Sequence, residues 1–175
     1  MKYYTGIGAR GTPDRIGKIM TALARKLDND GFILRSGGAS GADTFFEDGA
    51  THADIFLPWS KFNGRMKPTV GKKEFISKYS KEIASKAERL ASEVHPAWDN
   101  CNGTVRKFHA RNAHQVLGRL LDDPTEFVVF WAVPDGDQVK GGTNTAVQMA
   151  KNRGIPTYNL YDDEVEERIM KYVIT

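Results

Sequence analysis

Three glycine-rich segments carry residue types that can bind phosphate groups: Gly6–Gly11, Gly37–Asp43 and Gly141–Thr145. Glycine lets backbone N–H groups approach an anion closely, and a helix N-terminus adds a partial positive charge. Two of the segments directly precede predicted helices, and the hydroxyl groups of Ser36 and Ser40 could add hydrogen-bond donors. The alternative is that the glycines only form tight turns. Because three such segments are predicted to meet at one edge of a sheet, we predict a phosphate or nucleotide site.

Five residues with charged, amide or aromatic side chains are predicted to complete this site. Arg10 and Arg111 would neutralise phosphate, and Asn112, Asp135 or Trp131 would recognise the nucleoside. The alternatives are surface polarity for the helical pair 111–112, a turn at Asp135 and a core position for Trp131. The predicted ligand-binding set is Gly8, Ala9, Arg10, Ser36, Gly37, Gly38, Ser40, Gly41, Asp43, Arg111, Asn112, Trp131, Asp135, Gly141, Gly142, Thr143 and Asn144.

The glycine segments do not match the common nucleotide motifs. None is followed by the Gly-Lys-Ser/Thr of a P-loop. A G-x-G-x-x-G pattern is formally present at Gly6, Gly8 and Gly11, but Asp28 and Asp30 fall in or at the end of the predicted helix instead of after a second strand. We therefore expect no dinucleotide cofactor, and no other cofactor is predicted.

Strands alternate with helices along the chain, which predicts an α/β fold. The predicted strands are Lys2–Ile7, Phe32–Leu34, Ala53–Leu57, Phe127–Val133 and Pro156–Leu160. We expect a Rossmann-like three-layer fold with a central parallel sheet in the order 3-2-1-4-5. Ligands of such sheets bind at the carboxyl ends of the strands, where the order reverses. The loops at that edge would be Gly6–Gly11, Ser36–Gly41 and Pro134–Asn144.

Residues 59–121 form a long segment between the third and fourth predicted strands. We interpret it as a helical insertion, with helices over Lys72–Val94 and Thr104–Leu121. The segment could be a lid or a surface for a partner. The chain has 175 residues, so residues 1–175 are predicted to form a single nucleotide-binding domain.

Composition excludes several classes of protein. Hydrophobic residues make up 40% and charged residues 27% of the chain, which is typical of a globular protein and not of a disordered one. The longest apolar run, Phe127–Val133, is far shorter than the roughly 20 residues that span a membrane. The N-terminus lacks the apolar core of a signal peptide, and Cys101 is the only cysteine, so a cytoplasmic protein is expected. The four histidines show no metal-ligand spacing, and no metal site is predicted.

The net charge is +3, and basic residues are concentrated between Lys61 and Arg89. They are Lys61, Arg65, Lys67, Lys72, Lys73, Lys78, Lys81, Lys86 and Arg89. This stretch could attract a phosphate-bearing partner, or it could be a solvated helix face. Its aromatic residues, Phe62, Phe75 and Tyr79, are few for a surface that stacks on single-stranded nucleic acid.

Two motifs resemble those of the SLOG superfamily, which includes the DNA-processing protein DprA and the Lonely Guy phosphoribohydrolases. The sequence Gly-Gly-Ala-Ser-Gly-Ala-Asp at 37–43 is similar to the family's G-G-A-x-G-A-D loop. The segment from Gly141-Gly142-Thr143 to Gly154-Ile155-Pro156 resembles its second element. The two motifs and their neighbouring strands cover about half of the chain, and the chain also resembles uncharacterised phage-encoded proteins of this build. The resemblance implies nucleotide binding and self-association into a dimer or larger homo-oligomer.

The chain differs from the hydrolases of that family at one position that the resemblance marks as catalytic. Gln148 occupies the position of their catalytic glutamate, and a neutral amide cannot act as a general base. If the protein is an enzyme, the carboxylates that could substitute are Asp43, Glu47 and Asp135. The enzyme question stays open at this point, with hydrolysis disfavoured.

These observations leave three functions open. The preferred one is binding of a phosphorylated nucleotide or an ADP-ribose-like molecule by a sensor or sequestering protein, with a nucleotide immune signal as one such ligand. The first alternative is a nucleotide N-glycosidase or phosphoribohydrolase. The second is single-stranded DNA binding in the manner of DprA, for which a steep salt dependence would be diagnostic.

Overall fold

The computed structural model describes residues 1–76 and 80–175. Six strands form a parallel sheet: β1 (Lys2–Gly8), β2 (Phe32–Ser36), β3 (Ala53–Leu57), β4 (Lys72–Ile76), β5 (Val128–Trp131) and β8 (Thr157–Asn159). Their order is β4-β3-β2-β1-β5-β8. Without the edge strand β4 this is the predicted order 3-2-1-4-5, so that prediction is confirmed. Two short strands, β6 (Pro134–Asp135) and β7 (Gln138–Val139), form a separate antiparallel hairpin within the predicted loop 134–144.

Helices cover both faces of the sheet and produce the predicted three layers. On one face lie α1 (Asp14–Asn29), α2 (Ala42–Gly49) and α6 (Asp163–Val173). On the other lie α3 (Lys81–Val94), α4 (Gly103–Leu117) and α5 (Thr143–Asn152). Each layer encloses its own apolar core against the sheet. None of the helices in the described ranges combines the length and apolar character needed to cross a membrane.

The sequence of each helix explains how it is placed. In α1, Ile16, Met20, Leu23 and Leu27 recur at helical spacing and are all buried against the sheet. The α4 helix begins where the Asn102 side chain accepts a hydrogen bond from the backbone N–H of Val105 at 2.9 Å. This start places the following turns of α4 over the carboxyl ends of the central strands.

The prediction of a helix over Lys72–Val94 is wrong in its first part. Residues Lys72–Ile76 form the edge strand β4, which pairs in parallel with β3, and the helix begins only at Lys81. The ring of Phe75 stacks on Phe56 of β3, with centroids 5.5 Å apart. This tertiary packing outweighs the polar, helix-compatible local sequence. Lys78 and Tyr79, which belong to the predicted basic stretch, lie outside the described residues.

Candidate functional site

A cavity of about 360 Å³ opens at the carboxyl edge of the sheet, beside β1. Three parts of the chain bring residues to it: the loop after β1, the N-terminal part of α2 with the loop before it, and the loop before α5. The fourth wall is α4, which comes from the segment 59–121. The cavity therefore lies where a doubly wound sheet normally binds its ligand.

The structure brings many of the predicted ligand-binding residues together in this cavity. Those that line it are Gly8, Ala9, Arg10, Asp43, Arg111, Asn112, Gly141, Gly142 and Thr143. The others, which do not line it, are Ser36, Gly37, Gly38, Ser40, Gly41, Trp131, Asp135 and Asn144. Binding by either group stays a prediction, but the division shows that the three glycine segments have different structural roles.

The second glycine segment packs against the first. Gly41 has φ of +82°, and a Cβ atom there would lie 2.4 Å from the carbonyl oxygen of Arg10. The backbone N–H of Ala42 donates to the carbonyl of Ala9 at 3.3 Å, and the Ser36 hydroxyl donates to the carbonyl of Gly6 at 2.7 Å. Glycine is needed here because two backbone segments touch. The second glycine segment therefore stabilises the loop after β1, which lines the cavity.

Asp43 lies in the first turn of α2 and is 4% exposed. One of its carboxylate oxygens accepts a hydrogen bond from the backbone N–H of Ala39 at 3.1 Å. Burial raises the pKa of Asp43 to about 6, against the opposing effects of Arg111 and the Ala39 N–H. The cavity wall therefore contains a carboxyl group that changes its charge just below neutral pH.

Arg111 is buried on α4, with 6% of its surface exposed. Its Nη1 donates to the carbonyl oxygens of Gly37 and Phe56, the latter at 3.1 Å, and its Nε donates to Oδ1 of Asn112 at 3.0 Å. Burial lowers the pKa of Arg111 to about 10, Asp43 opposes this effect and the charge of Arg10 adds to it. Much of the hydrogen-bonding capacity of Arg111 is thus used to join α4 to the loop after β2 and to the carboxyl end of strand β3.

The third glycine segment faces open space. No atom lies within 4 Å of the position that a Cβ would take at Gly141 or Gly142. The Asn112 side chain donates from Nδ2 to the carbonyl of Gly142 at 2.9 Å, which ties this loop to α4. The helix α5 then begins at Thr143, so its N-terminal N–H groups lie next to the cavity. An open helix N-terminus favours a negatively charged group.

Three of the predicted residues have other surroundings. Asn144 is a structural residue: its Oδ1 accepts from the backbone of Val139 and from Gln148 Nε2, both at 3.1 Å. Asp135 is exposed in the β6–β7 hairpin and borders a neighbouring cavity. The ring of Trp131 packs near Tyr161, with centroids 5.9 Å apart, and joins the core of the α1–α2–α6 layer.

The three candidate carboxylates are therefore not equivalent. Asp43 lines the cavity, whereas Glu47 accepts two hydrogen bonds from Arg65, at 2.9 and 2.7 Å. Glu47 is thus engaged in an ion pair, and Asp135 lies outside the cavity. Gln148 also does not line it.

Sequence reasoning missed several lining residues of α4 and the loop before α5. Phe108, His109 and Lys140 line the cavity and were not predicted as ligand contacts. The signal for the first two was present, because Val105, Phe108, His109, Asn112 and Gln115 follow the helical spacing of one face. Lys140 carried no such pattern. None of the described lysines and arginines between residues 61 and 89 lines the cavity.

The fold and the site together define a Rossmann-like α/β protein with a partly basic cavity at the switch point of its sheet. No protein-family model and no curated protein matches the chain. A solved structure of DNA processing protein A from Helicobacter pylori, described there as having a unique single-stranded DNA binding mode, is similar to it. The TM-score is 0.42 and the identity 16%, over 99% of this chain and 80% of that one.

Proposed function

We propose that this protein binds a phosphorylated nucleotide or an ADP-ribose-like molecule in the cavity and acts as a sensor or sequestering protein. One observation carries the proposal: the cationic side chains of Arg10 and Lys140 converge with the open N-terminus of α5 on one cavity. Its volume of about 360 Å³ lies in the range of about 300–1,000 Å³ typical of small-molecule sites.

The phosphate group would lie over Gly141 and Gly142. Space is available there, and the N–H groups of the first turn of α5 and the hydroxyl of Thr143 would donate hydrogen bonds. Arg10 and Lys140 are both exposed, so they can reorient toward a phosphate without breaking buried contacts. This arrangement binds an anion by backbone dipoles and mobile cations together.

The nucleoside would pack against α4. Phe108 presents an aromatic ring to the cavity, and the guanidinium carbon of Arg10 lies 6.0 Å from its centroid. Phe108 is held in place by Trp59 and Phe62, whose ring centroids lie 5.0 and 5.6 Å away. An aromatic ring positioned in this way can stack on any nucleobase, because every base has a flat π-face. Asn112 is already hydrogen-bonded to Arg111 and Gly142, so its role is to position the Arg111 side chain and the loop before α5.

Hydrolysis of an N-glycosidic bond is a second candidate function, favoured by one observation. The Asp43 carboxyl lines the cavity and has a pKa of about 6 because of its burial. A group that titrates near the working pH can act as a general acid. Hydrolysis would release a free base, whereas sensing or sequestration would leave the ligand intact.

The experiment incubates the protein with nucleoside monophosphates, ADP-ribose and cyclic nucleotides, filters it, and reads both fractions by mass spectrometry. We expect an intact ligand in the protein fraction. A free base with ribose phosphate in the filtrate would support hydrolysis, and Asp43→Asn should then abolish turnover. If no compound is retained by the protein and none is hydrolysed, both functions are contradicted.

Paired lysine variants test where binding occurs. Lys140→Ala removes a cation from the cavity, whereas Lys67→Ala removes an exposed cation from the basic stretch outside it. We expect Lys140→Ala to weaken nucleotide binding by about 10-fold to 100-fold and Lys67→Ala to leave it unchanged, since one charged hydrogen bond contributes about 1.5–3 kcal/mol. Single-stranded DNA binding would instead respond to Lys67→Ala and fall steeply with salt. Light scattering on the same samples tests the predicted homo-oligomer.

A further inference from the structure

A cluster of three potential metal ligands lies beside the cavity. His95 follows the end of α3, Cys101 lies just before α4, and His109 is in the second turn of α4. One ligand atom from each residue lies within 4.8 Å of those of the other two. The α3–α4 connection thus folds back on α4 and places two imidazoles and one thiol together.

The distances are close to those of a tetrahedral site. The sulfur of Cys101 is 3.9 Å from Nδ1 and 3.8 Å from Nε2 of His95, and the two imidazole centroids are 4.2 Å apart. With metal bonds of about 2.0–2.1 Å to nitrogen and about 2.3 Å to sulfur, neighbouring ligand atoms of a tetrahedral site with one sulfur lie about 3.3–3.6 Å apart. The Cys101–His95 pair is thus near this separation, and side-chain rotations would have to bring the other pairs, which lie within 4.8 Å, closer together.

His109 already has the partner that a metal-bound histidine requires. It is 7% exposed, and its Nδ1 lies 2.7 Å from the hydroxyl oxygen of Thr145. A proton on Nδ1, donated to Thr145, leaves the lone pair on Nε2 for a metal. Second-sphere hydrogen bonds of this type orient the imidazole in most metal sites.

His95 and Cys101 each contact the backbone of Ala97, and metal binding would break both contacts. The N–H of Ala97 donates to Nδ1 of His95 at 3.1 Å, and the Cys101 thiol faces the carbonyl of Ala97 at 3.4 Å. A thiolate ligand has no proton, so the contact of Cys101 with the carbonyl of Ala97 would be lost. A metal on Nδ1 of His95 would replace the hydrogen bond from the N–H of Ala97.

The position of the cluster leaves room for a fourth ligand. His95 and His109 border a second cavity of about 360 Å³, which shares His109, Lys140 and Gly141 with the candidate phosphate cavity. Three protein ligands with a free fourth position are typical of zinc sites that bind water or a substrate group. Structural zinc sites, by contrast, use four protein ligands.

We propose that His95, Cys101 and His109 bind one divalent metal ion of the zinc class, with the fourth coordination position open to the second cavity. A donor set of one thiolate and two imidazoles selects zinc over magnesium or calcium, which prefer oxygen. This proposal revises the expectation from sequence that no metal site is present. The spacing His95-x5-Cys101-x7-His109 matches no common zinc motif, so only the folded chain shows the cluster.

The test titrates the metal-free protein with Co²⁺ and follows its absorption spectrum. We expect one Co²⁺ per chain, with the near-ultraviolet band of a cobalt–thiolate bond and displacement by Zn²⁺. Cys101→Ser should remove that band, and His109→Ala should weaken binding about 100-fold or more. Thr145→Val should weaken binding about 10-fold to 100-fold because it removes the second-sphere partner.

His52→Ala is the matched control, because His52 is an exposed histidine remote from the cluster, beside Asp28. It should bind Co²⁺ like the unmodified protein. The proposal is overturned if the unmodified protein shows no thiolate band, or if the spectrum of folded Cys101→Ser is unchanged. The titration contains no nucleotide, so a failure to bind Co²⁺ does not contradict the nucleotide proposal. Likewise, a failure to bind nucleotide does not contradict the metal proposal.

Discussion

The guanidinium group of Arg111 lies so close to Gly37 that a Cβ atom at position 37 would be 2.7 Å from Nη1. The side-chain nitrogen of Gln115 would be closer still, at 2.2 Å. Nη1 also donates to the carbonyl of Gly37. The glycine at 37 therefore serves the packing of α4 against the sheet, because it leaves space for a buried arginine.

Gly37→Ala should destabilise the protein, whereas Gly142→Ala should not. Alanine at 37 must displace both Arg111 and Gln115, at a cost of about 1–3 kcal/mol of unfolding free energy. Gly142 has φ of −65° and open space around it, so alanine there should change stability by less than about 0.5 kcal/mol. Urea denaturation measures both. Equal stability of the two variants would contradict the packing role of Gly37.

The same pair separates stability from binding. If the phosphate lies over Gly142, the added methyl group should weaken nucleotide binding about 10-fold in a protein of normal stability. Isothermal titration with the ligand retained in the mass-spectrometric screen measures this loss. Unchanged affinity of Gly142→Ala would place the phosphate elsewhere in the cavity.

Arg10→Ala should reduce nucleotide affinity about 10-fold to 100-fold and leave stability almost unchanged. Arg10 is exposed and borders the cavity, so its contribution arises only when a phosphate is present. Arg111→Ala should instead lower the unfolding free energy, by about 1–3 kcal/mol, because the carbonyls of Gly37 and Phe56 lose their donor. Thermal unfolding and titration of both variants check this contrast. Equal stability losses would contradict it.

The order of the central strands could be predicted from sequence because these strands are marked locally. Val128, Val129 and Phe130 form an uninterrupted apolar run, as expected of a strand covered on both faces, and all three are buried. The edge strand β4 carries no such mark. Its Lys-Lys-Glu-Phe-Ile sequence forms a strand because Phe75 stacks on Phe56 and Glu74 pairs with Arg65. Neither partner belongs to the strand itself, so the five-residue sequence does not show them.

The site could be predicted only in part, for a related reason. The three glycine segments have similar compositions. A Cβ atom at Gly41 would clash with the backbone of Arg10, whereas one at Gly142 would have no atom within 4 Å. Which glycine faces a ligand depends on how the loops pack, and that depends on Arg111 and its distant acceptors. The same limit concealed the cluster around Cys101, since its members meet only after the α3–α4 connection folds back.

Arg65→Met should loosen the edge strand β4. Arg65 donates to Glu47 at 2.7 and 2.9 Å and to Glu74 of β4 at 2.7 Å, and all three side chains are mostly buried. Removing the arginine leaves two carboxylates near each other without their cation, at a cost of about 1–3 kcal/mol. Hydrogen exchange should quicken over Lys72–Ile76 and less in β1. Uniform exchange across the sheet would contradict a local role.

Asp43 is a buried carboxyl group whose pKa rises to about 6 on folding because of desolvation. The folded protein therefore binds a proton between pH 4 and pH 6 that the unfolded chain, with an aspartate pKa of about 3.9, has released. The contribution of Asp43 to the unfolding free energy should then fall as pH rises through this window and stay level above it. The shift corresponds to an upper limit of about 3 kcal/mol.

Asp43→Asn isolates this effect because the amide keeps an oxygen that can accept from the N–H of Ala39 but carries no charge. The unfolding free energy of the unmodified protein minus that of the variant should decrease between pH 4 and pH 6.5 and be constant from pH 7 to pH 8. Other titrating groups are common to both proteins and largely cancel. A constant difference across the whole range would show that Asp43 is ionised throughout, and the opposite slope would mean that Arg111 outweighs the cost of burial.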